Sequence, residues 1–345
     1  MIPAAPMQAL HQVARSHSAA SASAEHMSEI QTLLGSALPA VEEAVRKACA
    51  GPKPLDEASA QLVMAGGKRV RPLTTLLVHR ACGGDQLQRA VPLAAAVELI
   101  HSATLLHDDV MDEGEERRNR PASRVLWGNL VSVLSGDLLL TTALDLVHRA
   151  GVESAMGDTL ATMQELIAGE VAQLMARGRD DLGIDGYLEI ARGKTAALFR
   201  CACRFGALSA NAHGELVGAV GRFGERVGIA FQIVDDVLDL EGVPHEVGKR
   251  LGHDLAEGKT TLPLALALKT SAAELRPMLI DARAGDTVAA ARVSQAAPVR
   301  AACLEARAYA MAETEAGLAE LGVLGRTRER ELLETLVHGL IARRA

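Results

Sequence analysis

The sequence predicts an all-α protein, on three observations. From Glu29 onward, apolar residues recur at three- and four-residue spacing in nearly every segment, with no convincing strand-type alternation. Hydrophobic residues fill 49% of the 345 positions but aromatics only 2%, so the core must be built from Leu, Ala, Val, Ile and Met, a mixture that favours helix. Clusters of Gly, Pro, Asn and Asp divide the chain into segments of roughly 15 to 30 residues, the length of bundle helices.

Taken in order, residues 1–30 are Ala/Ser-rich, with a single Arg among the first 27 and no hydrophobic targeting core, and are expected to be a flexible or weakly helical extension. Residues 31–345 are expected to form a single domain. Its punctuation falls at 51–54, 66–67, 83–85, 118–122, 178–185, 211–214, 242–244 and 283–286. The most apolar stretch, 91–106, is interrupted by Glu98 and His101. No uncharged run reaches the roughly 18 residues of a membrane span, so the chain is not expected to cross a membrane. Near the end, 301–322 and 327–344 are amphipathic, and Arg343 and Arg344 close the last turn where positive charge suits the helix dipole.

A net charge of −7, without a dense basic run, argues against a nucleic-acid partner. Five cysteines, an odd number with neither CxxC nor zinc spacing, read as reduced thiols of a cytoplasmic protein.

Two acidic stretches carry the chemistry: LLHDDVMDEGEERRNRPA at 105–122 and FQIVDDVLD at 231–239. On a helix, residues four apart share a face, so Asp108 pairs with Asp112 and Asp235 with Asp239. A lone motif of this kind is usually a solvated helix face. Here both sit among apolar residues, which points to the rim of a cavity, and paired carboxylates there repel unless a cation lies between them. Mg²⁺ suits such a site, because it binds through one or two carboxylates together with substrate phosphates.

The cations nearby point to a phosphate-bearing substrate. GGKRVRP at 66–72 supplies Lys68, Arg69 and Arg71 after a double glycine; Arg117 and Arg118 follow the first acidic motif; Lys194 with Thr195, Lys249 and Lys259 accompany the second. His101 lies two helical turns before Asp108 and could share a phosphate with GGKRVRP. Each is weak evidence alone, but together they suggest two diphosphates, one bridged through Mg²⁺ and one held by basic side chains.

Six ordered motifs, GGKRVRP, DDVMD followed by RR, GEVAQL at 169–174, KTA at 194–196, FQIVDDVLD and GKRLGHDLAEGKTTLPL at 248–264, resemble those of the trans-isoprenyl diphosphate synthases of the polyprenyl synthetase family. The resemblance runs from about residue 35 to the end. It implies a bundle of antiparallel helices around a deep central cavity, usually homodimeric, with three Mg²⁺ ions between the acidic motifs. By the same resemblance, Asp108, Asp112 and Asp235 would bind Mg²⁺, with Asp109, Asp236 and Asp239 in support. Lys68, Arg71, His101 and Arg118 would hold isopentenyl diphosphate, and Arg117, Lys194, Thr195, Gln232, Lys249 and Lys259 the allylic diphosphate. Where the family usually has Gly after the arginine pair, this chain has Asn119, which also tolerates positive φ.

The growing product would pass the residues before Asp108. Ala103 and Thr104 are small, DDVMD has no insertion, and neither Ile100 nor Val97 is a bulky floor. These features, with the likeness of IHSATLLHDDVMDE to the quinone side-chain subgroup, give an expected product of about C30 to C50 by family analogy. The alternative is a short-chain farnesyl or geranylgeranyl diphosphate synthase. A terpene cyclase is disfavoured by the scarcity of aromatics to stabilise cations, and a non-catalytic partner subunit by the presence of both acidic motifs.

Overall fold

The computed structural model describes residues 20–118, 120–241 and 252–343 of the chain. Its helices are α1 (Ala20–Leu33), α2 (Ala37–Ala48), α3 (Leu55–Met64), α4 (Val70–Ala81), α5 (Val91–Met111), α6 (Ser123–Trp127), α7 (Asn129–Ala150) and α8 (Ala155–Ala176). They continue with α9 (Gly183–Ala191), α10 (Ala197–Ser209), α11 (Gly214–Glu241), α12 (His253–Ala256), α13 (Leu262–Arg283), α14 (Thr287–Gln295), α15 (Ala297–Glu320) and α16 (Arg328–Ile341). Among the described residues, the strands are two residues long: β1 (Glu116–Arg117) pairs antiparallel with β2 (Arg120–Pro121) beside the first acidic motif. The all-α expectation holds.

The first nineteen residues of the expected extension lie outside the described residues. Residues 20–30 belong to α1, where Ile30 is fully buried.

The described residues gather into two compact units. The first takes those up to Ala161 together with Leu198–Gly224 and Glu320–Gly339; the second takes Thr162–Ala197, the described part of Glu225–Ala319, and the chain from Leu340. The first acidic motif belongs to the first unit, the second to the second.

At the centre of the first unit is α5, which packs against α2, α4 and α7. It is long and apolar enough to match a membrane span by length and composition, but most of it is buried as a core helix. Gly206 on α10 is a point of close approach: a Cβ there would lie 2.5 Å from the Thr75 carbonyl of α4, so only glycine fits.

One acid interrupts the buried length of α5. Glu98 is 3% exposed and accepts from Arg69 Nη1 at 2.6 Å. Arg69 is buried to the same degree and completes its valences with Glu42 of α2 (Nε to Oε1, 2.8 Å) and the Val63 carbonyl of α3 (Nη2, 2.9 Å). Burial opposes the guanidinium charge, but the Glu98 and Glu42 carboxylates outweigh it and raise the pKa of Arg69 above its ordinary value. Arg69 itself has φ +46°, a left-handed conformation unfavourable for a side-chain-bearing residue, just before α4 begins. Arg69, expected among the phosphate-clasping cations, turns its guanidinium inward, where the core consumes it.

The second unit is held by apolar residues of α9, α11, α13 and α15, including Ile229, Ile233, Val237, Leu264, Leu268, Val299 and Ala306. Asp286 caps α14, accepting from the Val288 and Ala289 amides at 2.8 and 3.1 Å. The five cysteines are free. Burial pushes the Cys49 thiol up to about 11 and those of Cys82 and Cys303 up to about 12, which keeps them protonated and unreactive.

Removing one member of the Arg69 cluster leaves buried charge without a partner. Arg69→Met is expected to destabilise the protein by about 3–5 kcal/mol in urea unfolding. A change under about 1 kcal/mol would show that the cluster does not hold the first unit together.

Candidate active site

The first acidic motif forms the last turn of α5. The Asp112 amide donates to the Asp108 carbonyl at 2.8 Å, so the helical turn is intact and the two partly exposed carboxylates lie one turn apart. Asp109 between them points inward, 1% exposed, and its Oδ1 accepts from Arg117 Nε at 2.8 Å and Nη2 at 2.5 Å. Arg117, expected at the allylic diphosphate, therefore braces the motif.

Around the start of α4 the same unit collects cations. Gly66 has φ +89°, and a Cβ on Gly67 would lie 3.1 Å from the Arg118 guanidinium, so the double glycine lets the loop close over that side chain. Arg118 donates to the Leu62 carbonyl at 3.2 Å and to the Gly66 carbonyl, and burial lowers its pKa. The Arg71 guanidinium stacks 4.7 Å from the Phe199 ring centroid. Part of His101 stays accessible, yet desolvation first, then Arg71, Arg118, Arg117 and Arg69, hold its pKa well below the ordinary value. It is a neutral imidazole at pH 7, with one donor and one acceptor. Lys68 is partly exposed beside this loop.

Further back on α5, Val97, Ile100 and Ala103 are buried, and Thr104 turns its hydroxyl to the His101 carbonyl at 2.8 Å.

In the second unit, a pocket gathers Lys194, Thr195, Gln232, Asp236 and Lys259. Lys194 and Thr195 lie in a π turn, Arg192–Ala196, that interrupts the run from α9 to α10. Such a wide turn shifts side chains out of helical register and is frequent at functional sites. Its backbone touches α8: a Cβ on Gly169 would stand 2.5 Å from the Lys194 amide nitrogen, and one on Gly193 2.8 Å from the Gly169 Cα. Lys194 Nζ meets Glu170 Oε2 at 2.5 Å.

Asp236 anchors a chain of hydrogen bonds. It accepts from Tyr187 at 2.6 Å on one oxygen and from Gln232 Nε2 at 2.7 Å on the other, while the Thr195 hydroxyl donates to Gln232 Oε1 at 2.6 Å. Desolvation, then the Asp254 charge, raises the Asp236 pKa well above the ordinary carboxylate range, against the pull of the Tyr187 and Gln232 hydrogen bonds. Asp239 is buried and accepts from the Asp254 amide at 3.2 Å. Asp235 alone in this motif is substantially accessible, its side chain 40% exposed, and Arg343 holds it at 2.8 Å while stacking 4.4 Å from the Phe231 ring centroid. Lys249 and Asn119, both singled out in the sequence, lie outside the described residues.

Residues 52–299 match the family model described as polyprenyl synthetase. The chain belongs to the polyprenyl synthetase family. Among curated relatives it is 42% identical over 221 residues to an all-trans-nonaprenyl-diphosphate synthase (geranyl-diphosphate specific) of Rhodobacter capsulatus, covering 64% of this chain and 68% of the relative. It is 40% identical over 238 residues to heptaprenyl diphosphate synthase component 2 of Geobacillus stearothermophilus, covering 69% and 74%. Relatives at comparable identity carry product names from geranylgeranyl to nonaprenyl diphosphate. The polyprenyl synthase of Caulobacter crescentus, solved with calcium and isoprenyl diphosphate, superposes with a TM-score of 0.86 at 34% identity, covering 92% of this chain and 97% of that one. As a family member the chain is a trans-prenyltransferase, with the all-α isoprenoid synthase fold.

For such an enzyme the oxygen donors present fit a hard divalent cation. Among the described residues no three His, Cys, Asp or Glu side chains converge into a closed metal site. Mg²⁺ does not require one, since it takes one or two carboxylates and fills its remaining positions with water and phosphate. At Asp235 a guanidinium already occupies the place of a cation.

Tyr187, Glu170 and Arg343 join the site without having been expected there. Tyr187 had a usable signal: it is one of two tyrosines in an aromatic-poor chain, seven residues before Lys194, and a buried tyrosine hydroxyl needs a partner.

Two predictions follow from these environments. Above the unfolded-state pKa of about 6.5, His101 is neutral in both folded and unfolded chains. As pH falls below that value the unfolded chain takes up a proton that the folded chain refuses until its lower pKa is reached, so stability declines. Urea midpoints at about pH 7.5 and pH 5.5 should differ less in His101→Gln than in the parent; an equal difference would mean that His101 does not contribute. Tyr187→Phe strips one donor from the buried Asp236 carboxylate and should cost about 1–3 kcal/mol by the same measurement. An unchanged midpoint would remove Tyr187 from the network.

Proposed function

We propose that this prenyltransferase condenses isopentenyl diphosphate head-to-tail with an allylic diphosphate to give an all-trans polyprenyl diphosphate of about C30 to C50, the length resting on family analogy. The observation that carries the reading is the second-unit pocket, where Lys194, Thr195, Gln232 and Lys259 line one space. Two ammonium groups with neutral donors between them suit a diphosphate, and we assign the allylic diphosphate to them, with Lys249 as a further ligand. Lys68, Arg71, His101 and Arg118 are assigned to isopentenyl diphosphate. Neutral His101 contributes a single N–H donor there, and the guanidiniums supply the charge.

Asp108, Asp112 and Asp235 are the carboxylates assigned to Mg²⁺, and the buried Asp109, Asp236 and Asp239 hold them in place. Bound Mg²⁺ would neutralise charge on the departing diphosphate. Lys194 and Lys259 add fixed positive charge where the carbon–oxygen bond breaks, lowering the barrier to an allylic cation. The double bond of isopentenyl diphosphate attacks that cation, and transfer of a proton to the released diphosphate restores an alkene. The chain needs no nucleophile of its own.

Two further assignments belong to this reading. Leu130, Val133 and Leu134 form an exposed apolar face on α7, of the kind a second copy of the chain covers in a homodimer. The free thiols suit a cytoplasmic protein.

Purified protein given isopentenyl diphosphate and C5 to C20 allylic starters should yield a product ladder ending between about C30 and C50. Termination at C15 or C20 would keep the reaction and overturn the length. Ala103→Phe should shorten the ladder, and Asp108→Ala or Asp235→Ala should each lower kcat by about 10²- to 10³-fold. EDTA should abolish turnover, with Mg²⁺ restoring it. Leu134→Glu should convert a dimer to a monomer in sedimentation equilibrium; a monomeric parent would exclude the homodimer.

A further inference from the structure

Polar side chains of the second-unit pocket nearly all have their hydrogen bonds arranged within the protein. Tyr187 and Gln232 donate to Asp236, Thr195 donates to Gln232, and the Thr260 hydroxyl donates to the Arg179 carbonyl at 2.7 Å. Lys259 lies 3.5 Å from Asp254, and it also meets Glu257. Two polar atoms of the lining stand apart. Thr261 Oγ and Gln173 Nε2 are each buried, and neither has a partner among the described residues.

Thr261 is anomalous on local grounds as well. It occupies the N-cap position of the 22-residue helix α13, with the extended backbone that a cap requires (φ −71°, ψ 166°), and its carbonyl accepts from Ala265 at 2.8 Å. Threonine at such a position ordinarily turns its hydroxyl back to accept from a first-turn amide. Here no capping bond forms, although the side chain is only 6% exposed. Pro263 has no amide hydrogen to offer. A buried hydroxyl that forgoes its local bond and faces a pocket is poised for something in that pocket.

The chemistry of the two atoms selects the ligand. The Gln173 atom without a partner is its amide nitrogen, which can only donate; facing the pocket, it suits a phosphate oxygen and not a cation. The N-terminal end of α13 adds a positive partial charge on the same side as Thr261. The pocket's carboxylates do not oppose an anion equally: each oxygen of Asp236 already accepts from a donor, and Asp254 is opposed by Lys259.

We propose that Thr261 and Gln173 are further ligands of the allylic diphosphate, joining Lys194 and Lys259, with the start of α13 as part of the anion site. This rests on the assignment of that pocket to the allylic substrate. Each donor contributes a hydrogen bond to a charged oxygen, and its loss should weaken binding roughly ten- to a hundredfold.

The test is equilibrium titration of the intact protein, in Mg²⁺, with three probes: inorganic diphosphate, non-reactive farnesyl thiolodiphosphate, and isopentenyl diphosphate. Thr261→Val, which keeps the shape and removes the hydroxyl, should raise Kd for the first two and leave the third unchanged, and Thr261→Ser should restore binding. Gln173→Met tests the second donor independently should Thr261→Val fail to fold. Unchanged Kd for inorganic diphosphate and the thiolodiphosphate in folded variants would overturn the inference while leaving the proposed reaction intact. A parent protein that binds neither probe would instead defeat the assignment of the pocket, and the inference with it. Equal weakening for isopentenyl diphosphate would show that the two groups serve the other substrate and would likewise reject the proposal.

Discussion

A single buried guanidinium organises the first unit. Arg69 draws together Glu42 of α2, the Val63 carbonyl of α3 and Glu98 of α5, while its own backbone starts α4. A charge at this depth is tolerated only when every donor has a partner, so the four segments are bound into one arrangement. Lys68 on the loop and Arg71 in the first turn of α4 are thereby pinned from the residue between them. The cost of a left-handed arginine and of burying the Arg69 and Glu98 charges is met by the fixed presentation of the cations on either side.

Each acidic motif divides its labour by burial. In the first, Asp109 turns inward to Arg117, while Asp108 and Asp112 keep access to solvent. In the second, Asp236 and Asp239 are spent on Tyr187, Gln232 and the Asp254 amide, leaving Asp235 accessible. The inward carboxylates are engaged by groups of the protein itself. They fix the helix ends from which the solvent-accessible carboxylates project, and a carboxylate within reach of water is what a hydrated hard cation needs.

Backbone geometry, as much as side-chain identity, builds the second-unit pocket. The π turn brings Lys194 and Thr195 out of simple helical register, and the paired glycines 169 and 193 allow that turn to lie directly on α8. Glu170, one residue on from the contact, then reaches Lys194. An alanine at either glycine would force backbone apart from backbone, which no side-chain rotation relieves.

Much of this was legible in the sequence. Helical periodicity, aromatic poverty and the placement of glycines determined an all-α chain, because period and backbone freedom are local properties. The spacing of the motif aspartates put Asp108 and Asp112 on one face, and KTA with FQIVDDVLD named residues that do line one pocket. What local pattern could not decide was direction. Arg69 and Arg71 are equivalent cations in GGKRVRP, yet one is consumed by the core and the other stacks on Phe199. Arg117 was expected at a substrate and is found on Asp109; Tyr187 and Arg343 gain partners 49 and 108 positions away. Which charge faces inward depends on where its counter-charge arrives in three dimensions, and only the tertiary structure sets that, because desolvation penalises any buried charge whose partner is absent.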